Sequence, residues 1–112
     1  MKIAIPTAKG KLCQHFGHCE AFTFIEVDEA NKKIIKTEAI VGPEHAPGVI
    51  PAWVASQGAN LILAGGMGSR AQELFTSQGV KVICGVPCEE PEKLVMNYLN
   101  NTLVTGVNAC DH

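Results

Sequence analysis

The chain has 112 residues, 46% hydrophobic, 18% charged and 5% aromatic, enough for one globular domain with a core that needs neither disulfides nor a structural metal. Nine basic against eleven acidic side chains leave a formal charge of -2 without any basic block, which argues against nucleic acid as a partner. No apolar run approaches the roughly 18 residues of a membrane span, and the first one is too short for a signal peptide, so a cytoplasmic protein with no membrane partner is expected.

Residues 2–6, 22–28 and 33–41 are alternating apolar runs rich in β-branched side chains and read as three strands. The second and third should form a hairpin across residues 29–32, with Asn31 suited to the positive φ of a tight turn. The period then changes. Val49, Ile50, Trp53 and Val54 recur at helical spacing, Pro51 is tolerated in a first turn, and Gly58 suits the end of this first helix. Residues 60–65, Asn-Leu-Ile-Leu-Ala-Gly, hold a continuous apolar run, as in a strand buried on both faces. Ser69 and Gln72 have the spacing of a capping box, ahead of a second helix with Ala71, Leu74 and Phe75 on its apolar stripe and Gly79 at its end. Residues 80–84 read as another buried strand. Glu89, Glu90 and Glu92 around Pro91 open a third helix carrying Leu94, Val95, Tyr98 and Leu99. The whole of 1–112 is one domain, of which 103–112 form a tail.

The order β-β-β-α-β-α-β-α, with right-handed crossovers, gives a three-layer α/β domain with a mixed five-stranded sheet and three helices. The loops that leave the carboxyl ends of the first, third, fourth and fifth of these strands then share one edge, where open α/β sheets bind ligands.

Candidate ligands collect in those loops. Residues 7–20 hold Cys13, His15, His18 and Cys19, the side chains that bind zinc, copper and iron-sulfur species, with Gly17 permitting a tight fold and Phe16 suited to packing beneath. Cys13 and Cys19 read equally well as small apolar fillers, and His15 and His18 as hydrogen-bonded residues. The run Gly65, Gly66, Met67, Gly68, Ser69, Arg70 leads into a helix whose amides favour an anion; it is neither a Walker loop nor a dinucleotide fingerprint, and a plain tight turn also accounts for it. Cys84 and Cys88 flank the loop after the last strand, Cys84 as a core candidate and Cys88 as the more available thiol. His45 shares the rim or serves a turn; Cys110, Asp111 and His112 cap a metal site or fray.

Taken together, Lys2-Ile-Ala-Ile-Pro6, His15-Phe-Gly-His18, Ala59-Asn-Leu-Ile-Leu-Ala-Gly-Gly-Met-Gly68, Gly79-Val-Lys-Val82 and Gly106-Val-Asn-Ala-Cys-Asp-His112 resemble the nitrogenase iron-molybdenum cofactor biosynthesis and carrier domain family, whose dinitrogenase iron-molybdenum cofactor-binding domain occurs alone or attached to larger assembly proteins. The resemblance spans nearly the whole chain. It implies a ribonuclease H-like fold with strand order 3-2-1-4-5. It also implies binding without catalysis: an iron-sulfur or iron-molybdenum cluster, or its precursor, passes between donor and acceptor proteins, with residues 15–19 and the glycine loop in contact with it. The competing readings are a zinc-binding or thiol redox module built on the same cysteines and histidines, and a ribonuclease H-type nuclease. The nuclease would need clustered carboxylates that residues 2–6 lack.

Overall fold

The computed structural model describes residues 1–12, 21–43 and 48–106. Side chains of successive strand residues point to opposite faces, so Lys2-Ile-Ala-Ile feeds two cores: Ile3 and Ile5 enter one hydrophobic cluster and Ala4 the other. This strand, β1 (Lys2–Ala8), is central to a six-stranded mixed sheet with β2 (Lys11–Leu12), β3 (Ala21–Asp28), β4 (Lys33–Ile40), β5 (Leu61–Leu63) and β6 (Lys81–Ile83). The path runs β4-β3-β1-β5-β6, with β2 paired to β1. β3 is antiparallel to β1 and to β4, while β5 and β6 run parallel to β1.

Three helices complete the layers: α1 (Val49–Ser56), α2 (Ser69–Ser77) and α3 (Pro91–Leu99). Ile50 and Val54 of α1 and Phe75 of α2 join Ala4, Phe22 and Ile62 on one face. Leu94, Val95 and Leu99 of α3 join Ile3, Ile25 and Leu63 on the other. Trp53 of α1 stands edge-on to Phe22 and Phe24, with ring centroids 5.5 and 5.6 Å away. Among the described residues no helix is long and apolar enough to cross a membrane.

Several local expectations change. The sheet has one strand more than the five expected, because β1 continues to Ala8 and turns back at once into β2. Lys9 and Gly10 both have positive φ, 55° and 79°, as a two-residue hairpin requires. Thr7 pairs with Ala21 on one side and with Leu12 on the other, so β2 lies on the β5 side of β1. On that side β5 pairs with Ile3 and Ala4, and β2 with Thr7 and Ala8. Pro6 falls in the gap, where its missing N–H breaks no ladder bond, which reconciles a proline with a central strand. The strand expected to be buried over 80–84 is β6, exposed at Lys81 and half-buried at Val82 and Ile83 because it borders the sheet, while Val80 before it is buried.

The capping-box expectation fails at α2, where Gly68 takes the N-cap position with no side-chain cap. Gln72 instead donates its Nε2 amide to the Met67 carbonyl at 2.9 Å. Gly58 and Gly79 follow α1 and α2 as expected.

In the turn between β3 and β4 the positive φ belongs to Lys32, at 52°, and not to Asn31. Asn31 folds back on Asp28 instead, donating Nδ2 to Oδ2 at 2.7 Å and its backbone N–H to Oδ1 at 3.2 Å. The Asn31 side chain, then its backbone amide, hold the Asp28 carboxyl below its ordinary value. A carboxylate depressed in the folded state contributes stability that is present above its unfolded pKa and lost as pH falls through the folded pKa. Asn31→Ala should therefore move the Asp28 titration up toward the ordinary carboxylate range, read from its side-chain carbonyl carbon by NMR. An unchanged midpoint would assign the shift to something other than this contact.

Candidate functional site

The directions of the strands bring the carboxyl ends of β1, β4, β5 and β6 and the start of β3 to one edge of the sheet. Beyond the last paired strand residues, β5 and β6 continue to exchange backbone hydrogen bonds. Ala64 N–H donates to Ile83 O at 2.9 Å, Val86 N–H to Ala64 O at 3.1 Å, and Gly85 N–H to Gly65 O at 2.7 Å. The two loops thus leave the sheet already fastened to each other.

Gly85 lies at φ 75°, a conformation that favours glycine. Its carbonyl accepts the N–H of Gly106 at 2.7 Å, so the chain after α3 is docked and not free through residue 106. Leu103 packs against the α3-side core on the way. A further bond, Leu12 N–H to Glu89 O at 3.0 Å, ties β2 to the loop before α3. Four pieces of chain therefore meet at this edge: residue 12, residues 64–68, residues 84–90 and residues 103–106.

The glycine corner divides by depth. Gly65 and Gly66 are buried, Gly68 is half-buried, and Ser69 and Arg70 are exposed at the start of α2. Met67 is 1% exposed, and its side chain belongs to the core under α1 and α2. What this corner presents outward is thus the backbone of Gly68 together with Ser69 and Arg70. The first amides of any helix have no partner inside it, and α2 has neither a capping side chain nor an acidic residue in its first turn. The start of α3 differs: Glu90 is its N-cap, Glu92 sits in its first turn, and Glu89 accepts a 2.7 Å hydrogen bond from Lys93. An anion is favoured at the first helix start and disfavoured at the second.

Of the sequence-predicted ligands, Cys84 is half-buried against the core under α1 and α2, and Cys88 is exposed; neither is in a disulfide. Both sit on the loop that Gly85 fastens to the glycine corner. Cys13, His15, Phe16, Gly17, His18 and Cys19 lie outside the described residues, as do His45, Cys110, Asp111 and His112. Their flanks are placed: residues 12 and 21 pair with Thr7 from opposite sides at the same edge. Among the described residues, no three His, Cys, Asp or Glu side chains converge as a metal site would require. Gly85 and Gly106 organise the edge and were not singled out as site residues by motif, since what distinguishes them is a contact between positions distant in sequence.

Residues 1–101 match the family model described as Dinitrogenase iron-molybdenum cofactor. A Methanocaldococcus jannaschii protein named Uncharacterized protein MJ0580 is 33% identical over 85 residues, which are 73% of this chain and 72% of that protein. The crystal structure of PH0822 superposes with a TM-score of 0.87 at 25% identity, covering 96% of each chain. The apo form of the orange protein from Desulfovibrio gigas superposes with a TM-score of 0.72 at 22% identity, covering 96% of this chain and 93% of that one.

Proposed function

The chain belongs to the dinitrogenase iron-molybdenum cofactor family, and from that premise we propose that it is a small non-catalytic carrier for an iron-sulfur or iron-molybdenum type cluster, or a precursor of one. The cluster is cargo, received from one protein and handed to another. The supporting observation is the meeting of chain segments at one sheet edge. The uncapped start of α2 with Arg70, the Cys84 to Cys88 loop, and both flanks of the segment carrying Cys13, His15, His18 and Cys19 all reach it.

A metal-sulfur cluster with thiolate ligands carries net negative charge, so it needs soft donors on one side and hydrogen-bond donors on another. In this reading Gly68 through its backbone and Ser69 and Arg70 through their side chains meet the cargo, with Gly65, Gly66 and Met67 buried behind them and fixing that corner. Cys13, His15, His18 and Cys19 supply first-loop ligands, with Cys84 and Cys88 across from them and Phe16 and Gly17 shaping the loop. We read the architecture as ribonuclease H-like, used for binding and not for phosphodiester cleavage. Donor and acceptor proteins would approach the same edge, in a cytoplasmic setting where the thiols stay reduced.

The test is purification without oxygen or chelators, followed by the visible spectrum and by iron, molybdenum, copper, zinc and sulfide content per chain. Coloured protein with iron and sulfide, or with molybdenum, is expected. His18→Ala and Cys19→Ala should each lose most of that absorbance while the far-ultraviolet circular dichroism stays unchanged. Full cargo stoichiometry in both variants would remove these residues from the role. Metal-free protein that also refuses a reconstituted cluster, or protein holding zinc alone, would overturn the carrier reading.

A further inference from the structure

β4 borders the sheet, and among the described residues no strand lies on its outer side. It is eight residues long, and six of them are exposed, including Ile35 at 63%. An open strand edge of this length is a template for another strand, and proteins commonly blunt such edges with lysines or bulges. Here the bulge is confined to one place. The register with β3 shifts between Glu26 and Val27, leaving Ile35 unopposed and the stretch 36–40 regular.

The charges on this border form a pattern. Lys2, Glu26 and Lys36 are successive cross-strand neighbours on β1, β3 and β4, so their signs alternate across the sheet and the row ends on Lys36. Lys36 shares its face with Glu38: the two side chains are 3.4 Å apart, and both are at least half-exposed. The next charge in the row should be acidic.

We infer that β4 pairs antiparallel with β4 of a second copy of this chain, about a two-fold axis at Thr37, so that two sheets become one. In that register Lys36 of each copy faces Glu38 of the other and Thr37 faces Thr37, all within the regular stretch beyond the bulge. The alternatives are disfavoured by the same residues. Slipping the pairing so that Lys36 faces Lys36, or Glu38 faces Glu38, sets like charges opposite each other, and a parallel arrangement does both. A partner strand of another sequence has no reason to match signs at both positions. A second copy does so by symmetry.

Sedimentation velocity from roughly micromolar to submillimolar chain, without added cargo, tests this, because strand-edge interfaces are small and weak. A reversible monomer-dimer equilibrium is expected. Glu38→Lys, whose cross-strand neighbour in the same chain is the uncharged Phe24, should weaken it at least about ten-fold by placing two lysines together twice. Lys36→Glu should act alike. The double variant Lys36→Glu/Glu38→Lys restores opposite signs and should recover the dimer, which loss of folding in the single variants could not explain. Monomer at every concentration, a dimer indifferent to Glu38→Lys, or open-ended oligomers would each overturn the assignment. None of these outcomes depends on whether the chain carries a cluster.

Discussion

Replacing Gly85 by alanine is expected to destabilise the fold by about 2–4 kcal/mol, a large share of the roughly 5–15 kcal/mol that holds a domain of this size together. Two effects add. A residue with a Cβ at φ 75° costs on the order of 1–2 kcal/mol relative to glycine. The added Cβ would also overlap the Gly106 carbonyl oxygen and stand 2.8 Å from its carbon. Both are main-chain atoms with no rotamer to escape into. The last docked stretch must therefore move, losing the 2.7 Å bond from Gly106 to Gly85 and loosening Leu103 from the core. Urea denaturation should show the lowered midpoint, and hydrogen exchange should show the Gly106 amide losing protection. Gly10→Ala is the control: its φ is similarly positive, at 79°, but nothing lies within 4 Å of the new Cβ. It should cost only about 1 kcal/mol. Equal losses for the two variants would mean that the contact with Gly106 contributes nothing.

That contrast also marks where a single sequence stops being informative. Periodicity is local, so strands such as 22–28, the three helices and the change from period 2 to period 3.6 near residue 49 were legible from spacing alone. The edge was legible too, because crossover handedness follows from the order of elements. The Lys9-Gly10 turn left a weaker trace: two positive-φ residues usually announce themselves as Asn-Gly, and here a lysine stands in the first position. The choice of Lys32 over Asn31 depended on a competition that the sequence does not rank, since Asn31 gains more by bonding Asp28. At α2 the Ser69 and Gln72 spacing fitted a capping box, but the chain puts Gly68 at the N-cap and turns Gln72 toward Met67. The docking of residues 103–106 was not legible at all. It depends on Gly85 presenting a carbonyl to a residue twenty-one positions later, which no window of sequence contains. The glycine run before α2 was visible as a candidate anion corner; that Gly65, Gly66 and Met67 are buried while Ser69 and Arg70 reach the surface needed the packing.

Phe75→Ala should have the largest effect of any single substitution in α2, about 3–5 kcal/mol. Phe75 is the one buried residue of that nine-residue helix, 0% exposed, and it shares the core under α1 with Met67, Ile62 and Val80. Its carbonyl also closes the helix, accepting Gln78 N–H and Val80 N–H at 3.0 Å each. A helix anchored through one side chain has little else to hold it against the sheet when that side chain is cut back to a methyl, because the remaining contacts are half-exposed. The loss should be felt first at the glycine corner. The Gln72 amide, bonded to Gly68 O at 3.1 Å, should exchange much faster, whereas amides in β1 and β3, which α3 supports from the opposite face, should follow the global stability. Phe75→Leu keeps most of the buried volume and should cost less than half as much. The two variants also separate packing from binding: with the carrier reading correct, Phe75→Leu retains its cargo, while Phe75→Ala releases it under conditions where β1 and β3 remain protected. A Phe75→Ala chain within about 1 kcal/mol of the parent would show that α2 is fastened by something other than its buried ring.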